Sequence, residues 1–322
     1  MQKGLSWAVM AFCGLFLVGC GADETASETQ NTAQKTSYPT ETVTLVVPFS
    51  AGGGTDILAR HMAKNLSDVW SVPVIVKNVT GASGRVAENY VMTRPADGYT
   101  LYLNNSSFAT VPPILTPDTP KVDGFTALGS LAKSASLLIV PADSTFTSIE
   151  ALLTDSNDLF VGTCGLGTPQ HWAVKRLKRH EATTHVPYGG CSDALLDVVR
   201  GELSAGIVTK ASATPMIESG KVRALAITSA ESRDPAIVPS DIWLNDGPNL
   251  DQWYAVFIHE KAPEAIKETI SDTLMNVFNT PQFEAELAPL SLTPYLHNGT
   301  DFDGALKAEQ AAFIESAKHN SK

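Results

Sequence analysis

The chain has 322 residues, of which 43% are apolar and 18% charged, and its formal net charge is −11 at pH 7. This length allows one large domain or two medium ones, and the composition is that of a globular protein. The excess of acidic residues argues against nucleic acid and anionic membrane surfaces as partners, but a local site could still hold a small anion.

The first twenty residues have the features of an export signal. Lys3 precedes the apolar run WAVMAFCGLFLVG, which is short for a membrane span and typical of a signal peptide. The run ends in Leu-Val-Gly-Cys, which resembles the lipobox of bacterial lipoproteins. We therefore predict a signal peptide over residues 1–19 and lipidation of Cys20. An uncleaved anchor or an ordinary signal peptide is the alternative.

Residues 20–37 are predicted to form a flexible tether. After Cys20 the segment is rich in Ser, Thr, Glu and Gln and has no large apolar residue, so it cannot bury enough surface to offset its chain entropy. No later stretch is long and apolar enough to span a bilayer. These features predict a periplasmic protein that is attached to a membrane only by an N-terminal lipid.

From residue 38 onward, apolar strand patterns alternate with helical patterns. We expect strands at VTLVVPF, VPVIVKN and DGYTLYLNN, and helices over residues 55–66 and at SGRVAENYVMTR. Strands that alternate with helices predict a parallel α/β sheet.

A second block of the same kind follows the apolar SLLIVP at residues 136–141. Helices are expected at TSIEALLTD, with Thr147 or Ser148 as N-cap, at TPQHWAVKRLKR and at SDALLDVVRGE. Strands are expected at DLFVGT, THVPYGG and VRALAITSA. After an irregular stretch to residue 247 come the strand WYAVFIH and two amphipathic helices.

The two blocks are of similar size, and the C-terminal part is too small to form a third domain. We therefore predict a discontinuous domain 1 over residues 38–137 and 231–322, with domain 2 inserted at residues 138–230. Two crossover strands would join the domains and leave a cleft between them.

Four glycine-rich loops each follow a predicted strand and precede a predicted helix: PFSAGGGTD, NVTGASGRVAE, VGTCGLGTPQH and VPYGGCSDA. Glycine lets backbone N–H groups approach a ligand closely, and a helix N-terminus favours an anion. The first loop matches neither a Walker A loop nor a dinucleotide-binding loop. If the domains face each other, the loops surround one cleft that suits a carboxylate. A tight turn without a ligand role is the alternative for each loop taken alone.

Asp56 stands in the first helical turn after the three glycines, where its charge would repel an anion. We expect its side chain to turn back and brace the loop as a cap does.

Two of the four cysteines belong to the mature body. Cys13 would be lost with the signal peptide and Cys20 would be acylated, which leaves Cys164 and Cys191 in an oxidising compartment. Both lie just past neighbouring strand ends, so a disulfide between them is sterically reasonable. Two separate small core residues are the alternative.

The motifs VPFSAGGGTDILAR, NVTGASG, PADGYTL, GTCGLGTPQH, VPYGG and GKVRALAITSA occur in this order. From about residue 43 to the C-terminal helices, the chain resembles the substrate-binding proteins of tripartite tricarboxylate transporters, the TctC or Bug family. The resemblance implies an α/β, periplasmic-binding-protein-like (type II) fold of two α/β domains with an interdomain ligand cleft. It also implies capture of a small carboxylate, such as a di- or tricarboxylate or an aromatic acid, and its delivery to membrane permease subunits.

The resemblance also implies which residues contact the ligand. In domain 1 they are Phe49, Ser50, Ala51, Gly52, Gly53, Asp56, Gly81, Ala82, Ser83, Gly84, Ser106 and Ser107, and in domain 2 they are Thr163, Thr168 and Tyr188. We expect a monomer without cofactor, metal or nucleic acid.

The chain departs from the family's usual pattern at three places. The family commonly has Pro-Gly where Thr80-Gly81 stands and Val-Asp where Ser204-Ala205 stands, and both cysteines replace ordinary small residues. These departures bear on the identity of the ligand rather than on the fold.

Two other functions stay open from the sequence alone. Cys164 and His171 could form the nucleophile pair of a secreted enzyme, although the histidines have no metal-ligand spacing and no hydrolase motif is present. A sensor that presents its ligand to a membrane signalling protein has the same sequence features as a transport receptor. Trp253 is expected in the core or at the hinge, or as part of the cleft wall.

Overall fold

The computed structural model describes residues 37–119 and 122–319. The predicted signal peptide, Cys20 and all of the predicted tether except Ser37 lie outside the described residues. The described residues all belong to one compact unit. Within the described ranges, no helix combines the length and the apolar character that crossing a membrane requires.

The described residues form two sheets with helices packed on them. The strands are β1 (Val43–Val47), β2 (Val74–Asn78), β3 (Thr100–Asn105), β4 (Phe125–Ser134), β5 (Ser136–Pro141), β6 (Leu159–Thr163), β7 (Thr183–Pro187), β8 (Ala205–Thr209), β9 (Val222–Ile227), β10 (Gln252–His259) and β11 (Thr293–Asn298). The helices are α1 (Gly54–Trp70), α2 (Arg85–Met92), α3 (Ser107–Thr110), α4 (Pro112–Leu115), α5 (Ile149–Thr154), α6 (Pro169–Arg176), α7 (Cys191–Val199), α8 (Lys210–Glu218), α9 (Ser240–Trp243), α10 (Glu264–Phe278), α11 (Pro281–Leu287) and α12 (Gly299–His319).

The first sheet has the strand order β11-β4-β10-β3-β1-β2. Strand β1 runs parallel to β2 and β3, with Val43 opposite Val74 and Leu45 opposite Leu101. Strand β10 runs antiparallel to β3 and β4, and β11 is antiparallel to β4. The second sheet has the order β7-β6-β8-β5-β9, in which β6 is parallel to β7 and β8 and β5 is antiparallel to β8 and β9.

Both sheets are therefore mixed, and the prediction of a parallel sheet holds only in part. The strands that lead into glycine-rich loops are parallel, because a helix returns the chain to the start of the next strand. The parallel arrangement is lost where the chain passes from one sheet to the other. Only Ala135 separates β4 in the first sheet from β5 in the second, so β5 enters without a preceding helix. The chain returns to the first sheet between β9 and β10.

The long C-terminal helix α12 contacts the cores of both sheets. Phe302 and Leu306 pack in the cluster that contains Trp253 and Phe257 of β10. One end of the helix therefore lies on the first sheet. Near the other end, Phe313 is buried in the cluster that contains strands β6 and β8. The predicted domain boundaries stay a prediction, since the C-terminal segment contacts both bodies.

Phe313 allows a test of this bridging role. Its ring lies 5.1 Å from that of Trp172, and 1% of the residue is exposed. Phe313→Ala should lower the free energy of unfolding by about 3–5 kcal/mol, because it leaves a cavity at the junction of α12 with the second sheet. Urea unfolding followed by tryptophan fluorescence measures this. Phe160→Ala is the matched control: that residue is 48% exposed, so its loss should cost at most about 0.5 kcal/mol. Equal losses for the two variants would contradict the bridging role.

Candidate functional site

One small pocket lies where the loops of the two sheets meet. Strands β1, β3, β6, β7 and β8 end beside it, and β10 begins there. Its lining residues are Phe49, Gly53, Gly54, Thr55, Asn105, Ser107, Cys164, Gln170, Cys191, Thr209 and Gln252. Ligands of open α/β folds bind in crevices at the carboxyl ends of strands, and this pocket has that position.

The pocket is lined by neutral groups, both polar and apolar. Among the described residues, none with a charged side chain lines it, and the polar groups are amides and hydroxyls of Thr, Ser, Asn and Gln. The pocket is nearly closed, with a cavity volume of about 10 Å³. An anion held here would depend on neutral donors, which act strongly in a site that excludes water.

The first loop turns the start of α1 toward this pocket. Gly53 is the N-cap and provides no side-chain cap, so the first N–H groups of the helix have no acceptor within it. Gly53, Gly54 and Thr55 all line the pocket. Their N–H groups and the positive end of the helix dipole suit a carboxylate.

The Asp56 side chain holds this loop in place by hydrogen bonds. Its Oδ2 accepts hydrogen bonds from the Gly52 N–H at 2.9 Å and from Arg60 Nε at 2.9 Å. Its Oδ1 accepts from Arg60 Nη2 at 2.9 Å and from Asn78 Nδ2 at 3.0 Å. Burial opposes ionisation, but the hydrogen bonds from Arg60, Gly52 and Asn78 outweigh it, so the pKa of Asp56 lies below its ordinary value. The predicted bracing role of Asp56 is confirmed.

The loop after β3 adds a free hydroxyl. The Asn105 amide donates to Thr55 Oγ1 at 3.0 Å and accepts from the Ser107 N–H at 2.8 Å, which ties this loop to α1. Only 2% of Ser107 is exposed, and its Oγ has no hydrogen-bond partner within residues 37–119 and 122–319. A buried hydroxyl without a partner is costly, and a ligand oxygen in the pocket would satisfy it.

Cys164 and Cys191 form a disulfide in the pocket wall. It joins the loop after β6 to the start of α7, which follows the loop after β7. A cysteine in a disulfide is no thiol nucleophile, which removes the basis of the Cys164–His171 enzyme hypothesis. His171 Nδ1 instead accepts a hydrogen bond from the Gly167 N–H at 2.9 Å and so supports the loop.

His171 and His185 stack beneath that loop, with ring centroids 4.2 Å apart. His185 Nε2 lies 2.6 Å from Thr163 Oγ1. Burial, followed by the proximity of His185 and Lys175, lowers the pKa of His171 to about 3. Burial and Lys175 lower the pKa of His185 to about 4. Both imidazoles are therefore neutral near pH 7.

The loops of the two sheets touch each other around the pocket. Ser50 Oγ, after β1, donates to Asp193 Oδ2 of α7 at 2.6 Å. A Cβ atom on Gly190 would lie 2.9 Å from the Ser50 nitrogen, and one on Gly165 would lie 2.8 Å from Ser83 Oγ. Such short distances leave no room for a side chain, so the two bodies are closed on each other here.

The structure brings some of the predicted ligand residues into the pocket and gives others different partners. Phe49, Gly53 and Ser107 line it. The Gly52 N–H donates to Asp56 Oδ2, and the Thr168 hydroxyl donates to Gly165 O at 2.7 Å. The Tyr188 hydroxyl donates to Asp197 at 2.7 Å. The other predicted contact residues lie outside the pocket lining: Ser50, Ala51, Asp56, Gly81, Ala82, Ser83, Gly84, Ser106 and Thr163. Their ligand contacts stay predictions.

Trp253 lies away from this pocket. It lines a second cavity of about 280 Å³ together with Lys133, Asp251 and Tyr295, and its indole N–H donates to Glu309. Burial raises the pKa of Glu309 to about 7 although that hydrogen bond opposes the shift. Trp253 therefore belongs to the core side of the β10–α12 contact and not to the wall of the pocket.

Sequence reasoning missed six residues of the lining: Gly54, Thr55, Asn105, Gln170, Thr209 and Gln252. The signal for Asn105 was present, because polar residues directly after a buried strand often face a site. Gln170 had a comparable signal in the helix start TPQH. Thr209 and Gln252 had none, because β8 was not predicted and β10 was placed one residue late.

The buried histidines predict how stability depends on pH. The unfolded chain binds protons on both imidazoles below pH 6.5. The folded protein keeps His171 neutral down to about pH 3 and His185 neutral down to about pH 4. Unfolding free energy should therefore fall as the pH drops from 6.5 toward 4, by up to about 1.4 kcal/mol per pH unit for each histidine. Urea titrations at several pH values measure the slope.

His171→Gln removes one of the two imidazoles, so the slope of the unfolding free energy against pH should fall by up to about 1.4 kcal/mol per pH unit. An unchanged slope in folded His171→Gln would contradict the buried, neutral state of His171.

Comparison with known proteins agrees with this fold. A profile of the tripartite tricarboxylate transporter family receptor, TctC, matches residues 58–313. The UPF0065 protein in the tcbD-tcbE intergenic region of a Pseudomonas species is 30% identical over 289 residues, covering 86% of this chain and 85% of the relative. Protein BugT of Bordetella pertussis is 28% identical over 232 residues and 69% of each chain.

Solved structures give the same result. The structure titled R. palustris Rpa4515 with adipate is 27% identical, with a TM-score of 0.81, and covers 88% of this chain and 98% of its own. The periplasmic binding protein BugD is 22% identical, with a TM-score of 0.80 and coverages of 88% and 99%, and shows the shared fold. The chain therefore belongs to the tripartite tricarboxylate transporter receptor (TctC/Bug) family, which is a family of receptors and not of enzymes.

Proposed function

We propose that this protein captures a small carboxylate-bearing metabolite in the pocket between its two sheets. The observation that carries the proposal is the neutral pocket itself. The N-terminus of α1 opens into it, and the hydroxyl of Ser107 has no partner among the described residues. A carboxylate accepts hydrogen bonds only, so these groups match it.

Energetics support this binding mode without a cation. Hydrogen bonds from neutral donors to a charged acceptor contribute roughly 1.5–3 kcal/mol each. Three of them therefore contribute about 5–9 kcal/mol, compared with the roughly 8 kcal/mol of micromolar binding. The relative of known structure with adipate is 27% identical, which supports a carboxylate ligand here. The ligand class we propose comprises di- and tricarboxylates and aromatic acids.

The proposed mechanism is capture followed by closure. The contacts between Ser50 and Asp193 and between the loops at Gly165 and Ser83 bury the pocket, so a ligand enters and leaves only when the two bodies separate. A ligand that contacts both bodies favours the closed form by its higher affinity for that form. The crossover at Ala135 and the return segment before β10 are the places where the chain would bend.

We further propose that the closed, liganded protein delivers its cargo to the membrane permease of a tripartite tricarboxylate transporter. Family membership supports this partner. The lipobox-like sequence ending in Cys20 supports attachment to the membrane by lipid, with the binding body acting as a monomer.

Ser107 provides the test of ligand capture. Isothermal titration against a panel of mono-, di-, tri- and aromatic carboxylates, adipate included, should identify at least one that binds. Ser107→Ala should weaken that binding about tenfold or more, because it removes a donor to the charged group. Ser130→Ala is the matched control: Ser130 is equally buried but donates to Tyr295 O within the first sheet. Its affinity should equal that of the wild type. A folded protein that binds no carboxylate would overturn the proposal.

Closure has its own test at Gly190. Its φ of 179° is extended backbone that alanine adopts without strain, so Gly190→Ala should fold normally. The new methyl would meet Ser50 across the pocket, so we expect ligand affinity to fall at least tenfold with little change in stability. Gly304→Ala on α12, where a Cβ meets nothing within 4 Å, is the control and should not affect binding. Unchanged affinity in Gly190→Ala would mean that the closed contact is not needed for binding.

A further inference from the structure

The second cavity, which Trp253 lines, is separate from the pocket between the sheets. Gln252 lines that pocket, whereas Trp253, the next residue of β10, lines the cavity. Successive side chains of a strand point to opposite sides, so β10 stands between the two spaces. The cavity has a volume of about 280 Å³, near the lower end of the range for small-molecule sites. Its lining residues Asn249 and Ala312 are exposed, so the cavity opens to solvent.

Two carboxylates in the cavity wall have only neutral partners. Glu309 of α12 accepts a hydrogen bond from the indole N–H of Trp253. Asp251 Oδ1 accepts one from Ser229 Oγ at 2.7 Å. In the part of the chain that the structure describes, neither carboxylate belongs to a salt bridge. Each ionised carboxylate has two acceptor oxygens, so both can accept further hydrogen bonds from a ligand.

Burial makes these two negative charges costly. It raises the pKa of Glu309 to about 7, although the hydrogen bond from Trp253 opposes the shift. It also raises the pKa of Asp251, against the hydrogen bond from Ser229 and the charge of Lys133. A cation bound beside the carboxylates would offset the loss of their hydration.

Lys133 leaves this need unmet. Its ammonium group lies 5.8 Å from the centre of the Tyr295 ring, near the outer limit of a cation–π contact, and the residue is exposed. Among the described residues, no other basic side chain lines the cavity. One positive charge therefore stands against two negative ones. His297 contacts the Tyr295 ring, with centroids 4.6 Å apart, but lies outside the lining.

The remaining lining suits an ammonium group on a short apolar chain. The rings of Trp253 and Tyr295 offer apolar surface, and aromatic faces attract cations. A primary ammonium group has three N–H donors, which match acceptor-only carboxylates. A quaternary ammonium group has none, and an anion would be repelled.

We propose that this cavity is a second ligand site, which binds a small aliphatic amine through hydrogen bonds from its primary ammonium group to Glu309 and Asp251. The site goes beyond the proposed function and does not depend on it. Its ligand has the opposite charge from the carboxylate proposed for the pocket between the sheets.

The indole N–H of Trp253 gives a direct test, because it donates to Glu309. Its ¹⁵N–¹H resonance is assigned by its loss in Trp253→Phe. The soluble body, residues 37–322, is titrated near pH 8, where Glu309 is ionised, with n-butylammonium chloride or putrescine up to about 10 mM. We expect a saturable shift of the Trp253 resonance. The control n-butanol has the same chain without the charge and should cause no such shift.

Three results of this titration would overturn the proposal. Neither amine gives saturable binding, or n-butanol shifts the Trp253 resonance as strongly as the amines do. In the third, an amine binds but leaves that resonance unmoved, which means that it binds elsewhere. Carboxylate binding is measured separately, so none of these results bears on the proposed function.

Glu309→Gln tests the charge without changing the shape of the side chain. Its amide oxygen can still accept the Trp253 N–H, but the negative charge is lost, so amine affinity should fall about tenfold or more. Glu268→Gln, the same exchange at an exposed position of α10, is the control and should keep the wild-type affinity. Unchanged amine affinity in folded Glu309→Gln would also overturn the proposal.

Discussion

The buried carboxylate of Asp56 is the contact on which the rest of the candidate site depends. It joins the first loop, helix α1 and strand β2 through Gly52, Arg60 and Asn78. Its charge is balanced by Arg60, so it does not oppose an anion at the helix start. With the loop held from behind, the first N–H groups of α1 stay directed at the pocket. The pocket therefore needs no cation, which explains why its lining is neutral.

The opposite wall of the pocket is ordered by different means. The disulfide of Cys164 and Cys191 joins two loops of the second sheet, and the neutral stack of His171 and His185 supports one of them from below. These loops meet the first loop at the contact between Ser50 and Asp193. Each wall is thus ordered by its own internal contacts. This combination suits a protein that binds by closing two preformed halves on a ligand.

Short sequence patterns predicted the elements of the fold that depend on residues close together in the chain. The strands and helices around the glycine-rich loops, the N-cap at Ser148 and the bracing by Asp56 all follow from short stretches of sequence. Strand β4 was missed because FTALGSLAKS has no strict alternation, and β8 because a glycine interrupts a five-residue strand. The pocket lining was predicted only in part. Thr209 and Gln252 reach it through pairing between distant segments, and Gln170 forms a hydrogen bond with Ser136, which lies 34 residues earlier in the chain.

The central claim is that backbone N–H groups at the start of α1 hold the carboxylate. The most direct measurement is a titration of the assigned backbone ¹⁵N–¹H resonances with the carboxylate that binds most tightly. We predict large downfield proton shifts for Gly54 and Thr55, and smaller shifts for Gly52 and Gly53, whose N–H groups already donate to Asp56 and to Ser50 O. Saturable binding that leaves the resonances of Gly54 and Thr55 unmoved would contradict the account, because the anion would then be held elsewhere.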